Sequence, residues 1–389
     1  MNIEKIKSFI VMDILERSLE IQKHGIEIIH LEIGEPDLPT PQKVLERIPE
    51  ILSKYKMSYT PSLGITSLRE AISEYYLKEY GVEVPVKNIV VVPGSSTGMA
   101  LMISLLLDNG GEFIITDPSY PCYPNFILHS GGEVVRLNIY KDNNFLPEID
   151  KLKNLVNQKT KGLIIASPSN PCGVVLPQKL VEEILEIGVP TIIDEIYQGI
   201  VFDIPKKESS SVKYFSPDGN LIVSNGFSKY FSMPGWRVGW LVVPDRYISP
   251  LQKLLQNIVI STATLSQILA EICIKECINE LEEYVKIYKK RLETATNFLS
   301  NLGLELGYKI NGAFYIYLDL SNFISDSLKF SKKMLEEYSV ALTPGLDFGM
   351  NQTNKFIRIS LTNSEGNILT GLERLVNALY NYNPSPRSI

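Results

Sequence analysis

Cysteine is scarce in this chain: there are four in 389 residues, Cys122, Cys172, Cys273 and Cys277. They are too few and too scattered for a disulfide framework. Cys273 and Cys277 sit four apart on a helical stretch, where a zinc site would still lack two ligands, so buried thiols are expected and no metal. The three histidines, His24, His30 and His129, have no ligand spacing. No apolar run reaches the roughly 18 to 20 residues that a membrane span needs. Positive charge is not in excess either. The net charge of −6 gives no basic footprint for nucleic acid or an anionic membrane. The opening residues mix acids with apolar positions and lack a small-residue cleavage site, so they read as mature protein and the expected location is the cytoplasm.

What is present is ordinary globular composition, 44% hydrophobic and 21% charged, in a chain long enough for two domains. From Phe9 to His24 the apolar spacing is helical, with Gly25 as a C-cap. Between about residues 88 and 243, apolar runs alternate with helical segments: NIVVV, EFIITD, GLIIAS, PTIID, LIVSN and GWLVV. Such a pattern indicates a mainly parallel sheet covered on both faces. One long amphipathic helix is expected over 264–300, then strands at AFYIYLDL and KFIRISL and a last helix near 365–381. The boundaries expected are an arm at 1–45, a large domain at 46–280 and a small α+β domain at 281–389.

Ligands of open α/β sheets bind beyond the carboxyl ends of the strands. Five of these runs are followed by chemistry-bearing residues. Gly94-Ser95-Ser96 opens a helix; Tyr120, Asn170, Asp194 with Tyr197, and Ser228-Lys229 follow in turn. Backbone N–H groups and hydroxyls at a helix start suit a phosphate, although a plain Gly/Ser N-cap would account for that loop alone. No Walker lysine and no G-x-G-x-x-G follow, which disfavours a nucleotide. A buried carboxylate needs a cationic or donor partner, such as a protonated pyridine nitrogen. A lysine on a turn is a candidate Schiff-base amine. Phosphate, ring nitrogen and aldehyde together describe pyridoxal 5'-phosphate.

The motifs IGEPD at 33–37, YTPSLGITSLREA at 59–71, PGSSTGMAL at 93–101, SPSNPCG at 167–173, DEIY at 194–197, SNGFSKYFSMPGWRVG at 224–239, NGAFYIYL at 311–318 and FIRIS at 356–360 cover nearly the whole chain. In these motifs the chain resembles the class I aminotransferases of pyridoxal-phosphate fold type I, the aspartate aminotransferase-like group. The resemblance implies a seven-stranded-type sheet in the large domain and a homodimer. It implies that Lys229 carries the cofactor and shuttles the proton, that Asp194 pairs with the pyridine nitrogen, and that Tyr197 and Asn170 reach the ring's phenolic oxygen. Tyr120 would stack on the ring. Ser95, Ser96, Ser228 and Arg237 would hold the phosphate, with Tyr59 from the neighbouring subunit. Arg358 would clamp the substrate α-carboxylate, assisted by Gly34 and Asn170. The chain departs from the family at Gly226, where a hydroxyl residue often stands. Transamination between an L-amino acid and a 2-oxo acid in a ping-pong cycle is the expected reaction, with β-elimination of a carbon–sulfur bond as the alternative. A DNA-binding regulator on this scaffold would need an extension of about 60–80 residues before the helical arm and is not expected. No arginine outside Arg237 and Arg358 matches a distal-carboxylate role, which favours neutral or aromatic amino donors and leaves aspartate and alanine open.

Overall fold

The computed structural model describes residues 3–382. Its strands are β1 (Ile29–His30), β2 (Ile89–Val92), β3 (Glu112–Asp117), β4 (Glu133–Asn138), β5 (Thr160–Ala166), β6 (Thr191–Asp194), β7 (Leu221–Gly226), β8 (Gly239–Val242), β9 (Tyr315–Asp319), β10 (Val340–Ala341), β11 (Thr343–Pro344) and β12 (Phe356–Ser360). Seven of them form one sheet in the order β2-β8-β7-β6-β5-β3-β4. All run the same way except β8, which is antiparallel to both of its neighbours. The expected α/β class with a mainly parallel sheet is what the chain forms. Apolar periodicity carries no strand direction, so the reversal of β8 was not legible in GWLVV.

Both faces of this sheet are covered, and the pleat divides its side chains between them. Val91, Ile114, Leu163, Ile165, Ile193, Val223 and Trp240 join one core. Val90, Val92, Phe113, Ile115, Ile164, Ile192, Ile222 and Leu241 join the other. Two-sided burial is why these segments read as continuous apolar runs. The edge strand β4, EVVRLN, was missed because only Leu137 in it is fully buried and it lacks such a run.

A three-stranded antiparallel sheet, β11-β12-β9, forms a second layer, and the N-terminal β1 pairs in parallel with β10. Of the run IEIIHLEI only Ile29–His30 pairs as strand. The N-terminal helix spans Ile10–Gln22, followed by Gly25 at φ +83. The long helix expected over 264–300 is two helices, Thr264–Glu276 and Ile278–Ser300, hinged at Cys277. The first packs on helix Thr66–Tyr75 and the second on helix Glu365–Tyr382, so the break redirects the chain between two layers. Cys172, Cys273 and Cys277 are buried thiols, whereas Cys122 is only partly covered. Among the described residues no helix is long and apolar enough to cross a membrane, and no cluster of His, Cys, Asp and Glu could hold a metal.

Candidate active site

Register brings the carboxyl ends of the large sheet into line. Ala166 lies beside Asp194, Asp194 beside Ser224, Gly226 beside Gly239, and Gly239 beside Val92. A cavity of about 420 Å³ opens at that edge. It is lined by Gly34, Ser95, Ser96, Tyr120, Asn170, Asp194, Tyr197, Ser228, Lys229, Arg237 and Arg358. Of the residues singled out from sequence, Tyr59 alone lies elsewhere, on the surface and 80% exposed.

Gly94 caps helix Ser95–Leu106 with φ +85, a left-handed conformation that glycine adopts without strain. A Cβ there would overlap the Arg237 guanidinium. The first N–H groups of the helix, the Ser95 and Ser96 hydroxyls and the Arg237 cation thus share one corner, suited to a small dianion. The departure at Gly226 has a steric counterpart. A Cβ there would stand 3.1 Å from the Gly239 Cα, so the two strands meet closely where a side chain would otherwise project.

Asp194, at the end of β6, is buried; its Oδ2 accepts from the Tyr123 hydroxyl at 2.7 Å and its Oδ1 from the Ile196 N–H at 3.2 Å. Burial pushes its carboxyl up to about 6, against the downward pull of those hydrogen bonds and of Lys229. Lys229, just beyond β7, donates from Nζ to the Gly34 carbonyl. Desolvation pulls its ammonium down to about 8, the Glu35 carboxylate opposing that and the Arg358 and Arg237 charges adding to it. A lysine so poised supplies a free amine near neutral pH.

Arg358 projects from β12 and is buried, with no carboxylate paired to it among the described residues. Its Nη1 donates to Asn170 Oδ1 at 2.9 Å and its Nη2 to the Glu32 carbonyl and to Thr343 Oγ1 at 3.2 Å, while Nε has no partner. The guanidinium lies 4.3 Å from the centre of the Tyr315 ring and 5.0 Å from that of Phe348. A buried, unpaired cation flanked by aromatic faces is built for an anion. The Tyr315 hydroxyl shares a 2.6 Å hydrogen bond with that of Tyr197. A Cβ on Gly34 would overlap the Tyr315 hydroxyl, so glycine is needed for this approach. Asp37, from the same IGEPD motif, is not at the cavity. It receives a bidentate fork from Arg291, both contacts at 2.8 Å, which anchors the segment carrying Gly34.

Sequence reasoning missed Tyr123, Tyr315, Glu35 and the start of the N-terminal helix. Tyr123 stands three residues after Tyr120, a spacing that could have suggested a shared face. The placement of Phe9, Val11 and Met12 against the cavity is a tertiary fact with no local signal.

The family model for aminotransferase class I and II matches residues 26–375. The (5-formylfuran-3-yl)methyl phosphate transaminase of Methanocaldococcus jannaschii is 38% identical over 95% of this chain and 96% of its own length. The aspartate aminotransferase of Pyrococcus horikoshii is 32% identical over 96% of this chain and 95% of its own. The crystal structure of an aminotransferase from Mycobacterium tuberculosis superposes with a TM-score of 0.91 at 31% identity, covering 97% of this chain and 98% of that one. The protein is an aminotransferase and belongs to the class I and II family, whose members use pyridoxal phosphate.

Proposed function

We propose that the cavity holds pyridoxal 5'-phosphate on Lys229 and moves an amino group from an L-amino acid to a 2-oxo acid in two half-reactions. The observation that carries this reading is the meeting of a desolvated lysine, a buried carboxylate and an unpaired buried arginine around one cavity of about 420 Å³. The residues fit the group. The Gly94 corner, which a Cβ would fill, takes a phosphate, with Ser95, Ser96, Ser228 and Arg237 as its partners. Asp194 would pair with the ring nitrogen, and Tyr120 would lie against the ring. Tyr197 and Asn170 would donate to the phenolic oxygen. The Asn170 carbonyl oxygen is already taken by Arg358, which leaves its NH₂ to donate.

When bound, the cofactor supplies the electron sink for the α-carbon's charge. The chain supplies positioning and proton transfer. Arg358 grips the α-carboxylate, with Gly34 and Asn170 beside it, and this orients Cα. Lys229 Nζ would be the base that accepts the proton from the substrate Cα and holds it for return. The Asp194 carboxylate favours the protonated ring nitrogen. Borohydride treatment of the holoenzyme followed by peptide mapping tests the assignment: the label is expected on Lys229, and a label on another lysine overturns it.

The active unit proposed is a homodimer in which Tyr59 reaches the partner's phosphate corner. Tyr59, Met57, Ile258 and Ile260 are all exposed large side chains. Their segments are tied together by Thr60 N–H to Ser261 Oγ at 3.5 Å and by Thr264 Oγ1 to the Ser58 carbonyl. An apolar patch beside a conspicuously exposed tyrosine suits an isologous interface. Mixing Tyr59→Phe with Lys229→Ala subunits should restore wild-type cofactor affinity to the lysine-bearing site; a site that stays defective would keep Tyr59 within its own subunit. Three buried free thiols suit a reducing compartment, and the cytoplasm is the proposed location.

A further inference from the structure

The N-terminal helix begins against the cavity. Phe9, Val11 and Met12 line it, together with Ile33 and Phe126. The Phe9 ring meets Tyr120 edge-on, with centroids 6.0 Å apart. The helix start is held there by Asp347, whose Oδ1 accepts from Ile10 N–H at 3.0 Å and whose Oδ2 accepts from Val11 N–H at 3.3 Å. Asp347 shares the turn Gly345–Phe348 with Phe348, the ring lying 5.0 Å from Arg358. The apolar wall is therefore indexed to the arginine that the proposed function gives to the substrate carboxylate.

Charge settles what this wall can face. The cations lining the cavity are Lys229, Arg237 and Arg358, and each already has a task. The remaining lining groups that carry charge are carboxylates, Glu35 and Asp194, beside the neutral phenols of Tyr120, Tyr123, Tyr197 and Tyr315. Around the surface patch proposed for the partner interface, residues 57–68 and 254–274 contain neither lysine nor arginine, the flanking cations being Lys56, Arg69, Lys253 and Lys275. A second carboxylate on the substrate would be desolvated without a partner.

We infer that the amino donor is an α-amino acid with an uncharged, apolar or aromatic side chain, and that Phe9, Val11 and Met12 select it. This rests on the proposed function, because it takes Arg358 as the α-carboxylate site. The test is the donor half-reaction of the holoenzyme, followed by loss of the cofactor's aldehyde-form absorbance, so that no acceptor need be known. Phenylalanine, leucine and methionine are expected to react with a second-order constant at least about 30-fold above that of aspartate and glutamate. A ratio below about 10 would overturn the inference. Met12 is 44% exposed, so Met12→Arg should fold, and it is expected to raise aspartate relative to phenylalanine about 10-fold or more. Phe9→Arg serves the same purpose if that variant does not bind cofactor. An unchanged ratio in the cofactor-loaded variant would remove the helix start from the selection. The orientation itself is checked with Arg358→Lys: weakened binding of apolar and acidic donors alike supports it, whereas unchanged binding would sink the carboxylate assignment and this inference with it.

Discussion

Tyr123 donates its hydroxyl proton to Asp194 Oδ2 across 2.7 Å, a link between the helix after β3 and the end of β6 that no local pattern announces. Burial raises Asp194 to about 6, and the Tyr123 hydrogen bond is the largest influence pulling it down. Tyr123→Phe should therefore raise that value further. The acidic limb of the kcat/KM profile should move to higher pH, and cofactor affinity should weaken by about 1.5–3 kcal/mol, the usual worth of a hydrogen bond to a charged group. An unmoved acidic limb would leave Tyr123 a packing residue.

Lys229 titrates near 8 in the folded chain against an ordinary value of 10.5, chiefly through desolvation. Below pH 8 the folded apo-protein carries a buried ammonium that the unfolded chain would solvate. Between 8 and 10.5 the unfolded state binds more protons than the folded one, so this destabilisation is relieved as pH rises. Lys229→Met should thus be more stable than the parent apo-protein at pH 7, and the gap should close towards pH 10.5. Thermal melts of both apo-proteins across that range measure it. A gap that widens with pH would contradict the burial argument. The rate of cofactor uptake should climb with pH and level off above about 8, because only the free amine reacts.

Arg358→Lys retains the charge but loses the planar fork that meets Asn170, Glu32 and Thr343. KM for amino acids and 2-oxo acids should rise at least about 30-fold, equivalent to roughly 2 kcal/mol, with amines lacking a carboxylate little changed. Steady-state kinetics on such a pair of substrates decides the matter; equal effects on both would mean that the guanidinium holds the protein rather than the ligand.

Gly94→Ala places a Cβ on a backbone at φ +85 and against the Arg237 guanidinium. Cofactor affinity should fall about 10-fold or more, with a stability loss of about 1 kcal/mol from the left-handed conformation. Equilibrium dialysis with pyridoxal phosphate separates this from a purely structural effect: an alanine variant less stable but equally tight for cofactor would exclude a phosphate at this corner.

Much of the architecture was legible because two-sided burial writes itself as apolar runs, and the residues after those runs pointed to one cavity edge. What escaped had no local signature. The edge strand β4 mixes charged and polar residues with three apolar ones, β8 runs backwards, and Cys277 breaks a helix that periodicity alone would continue. Within the site, Asp194 stood out because a buried charge requires a partner, Lys229 because it follows a strand end on a turn, and Arg358 only through the family resemblance. Tyr123, Tyr315 and the start of the N-terminal helix carried no sequence signal of their own, and only tertiary contacts set them at the cavity. Tyr59 is the converse case: its motif was recognisable, yet it lies 80% exposed on the single chain.

The pairing of Gly226 with Gly239 makes residues 227–238 a bridge whose two feet stand side by side on β7 and β8. Lys229 and Arg237 both ride on that bridge. Their separation is therefore set by chain length, like marks on a ruler, and not by the docking of distant parts. One inserted residue between them would spoil the distance between amine and guanidinium, whereas the start of the N-terminal helix approaches the cavity from a different layer and can change without touching it. On the proposed roles, reaction and taste would be carried by separable stretches of chain, and new amino donors could be acquired by redrawing the helix while the chemistry is inherited intact.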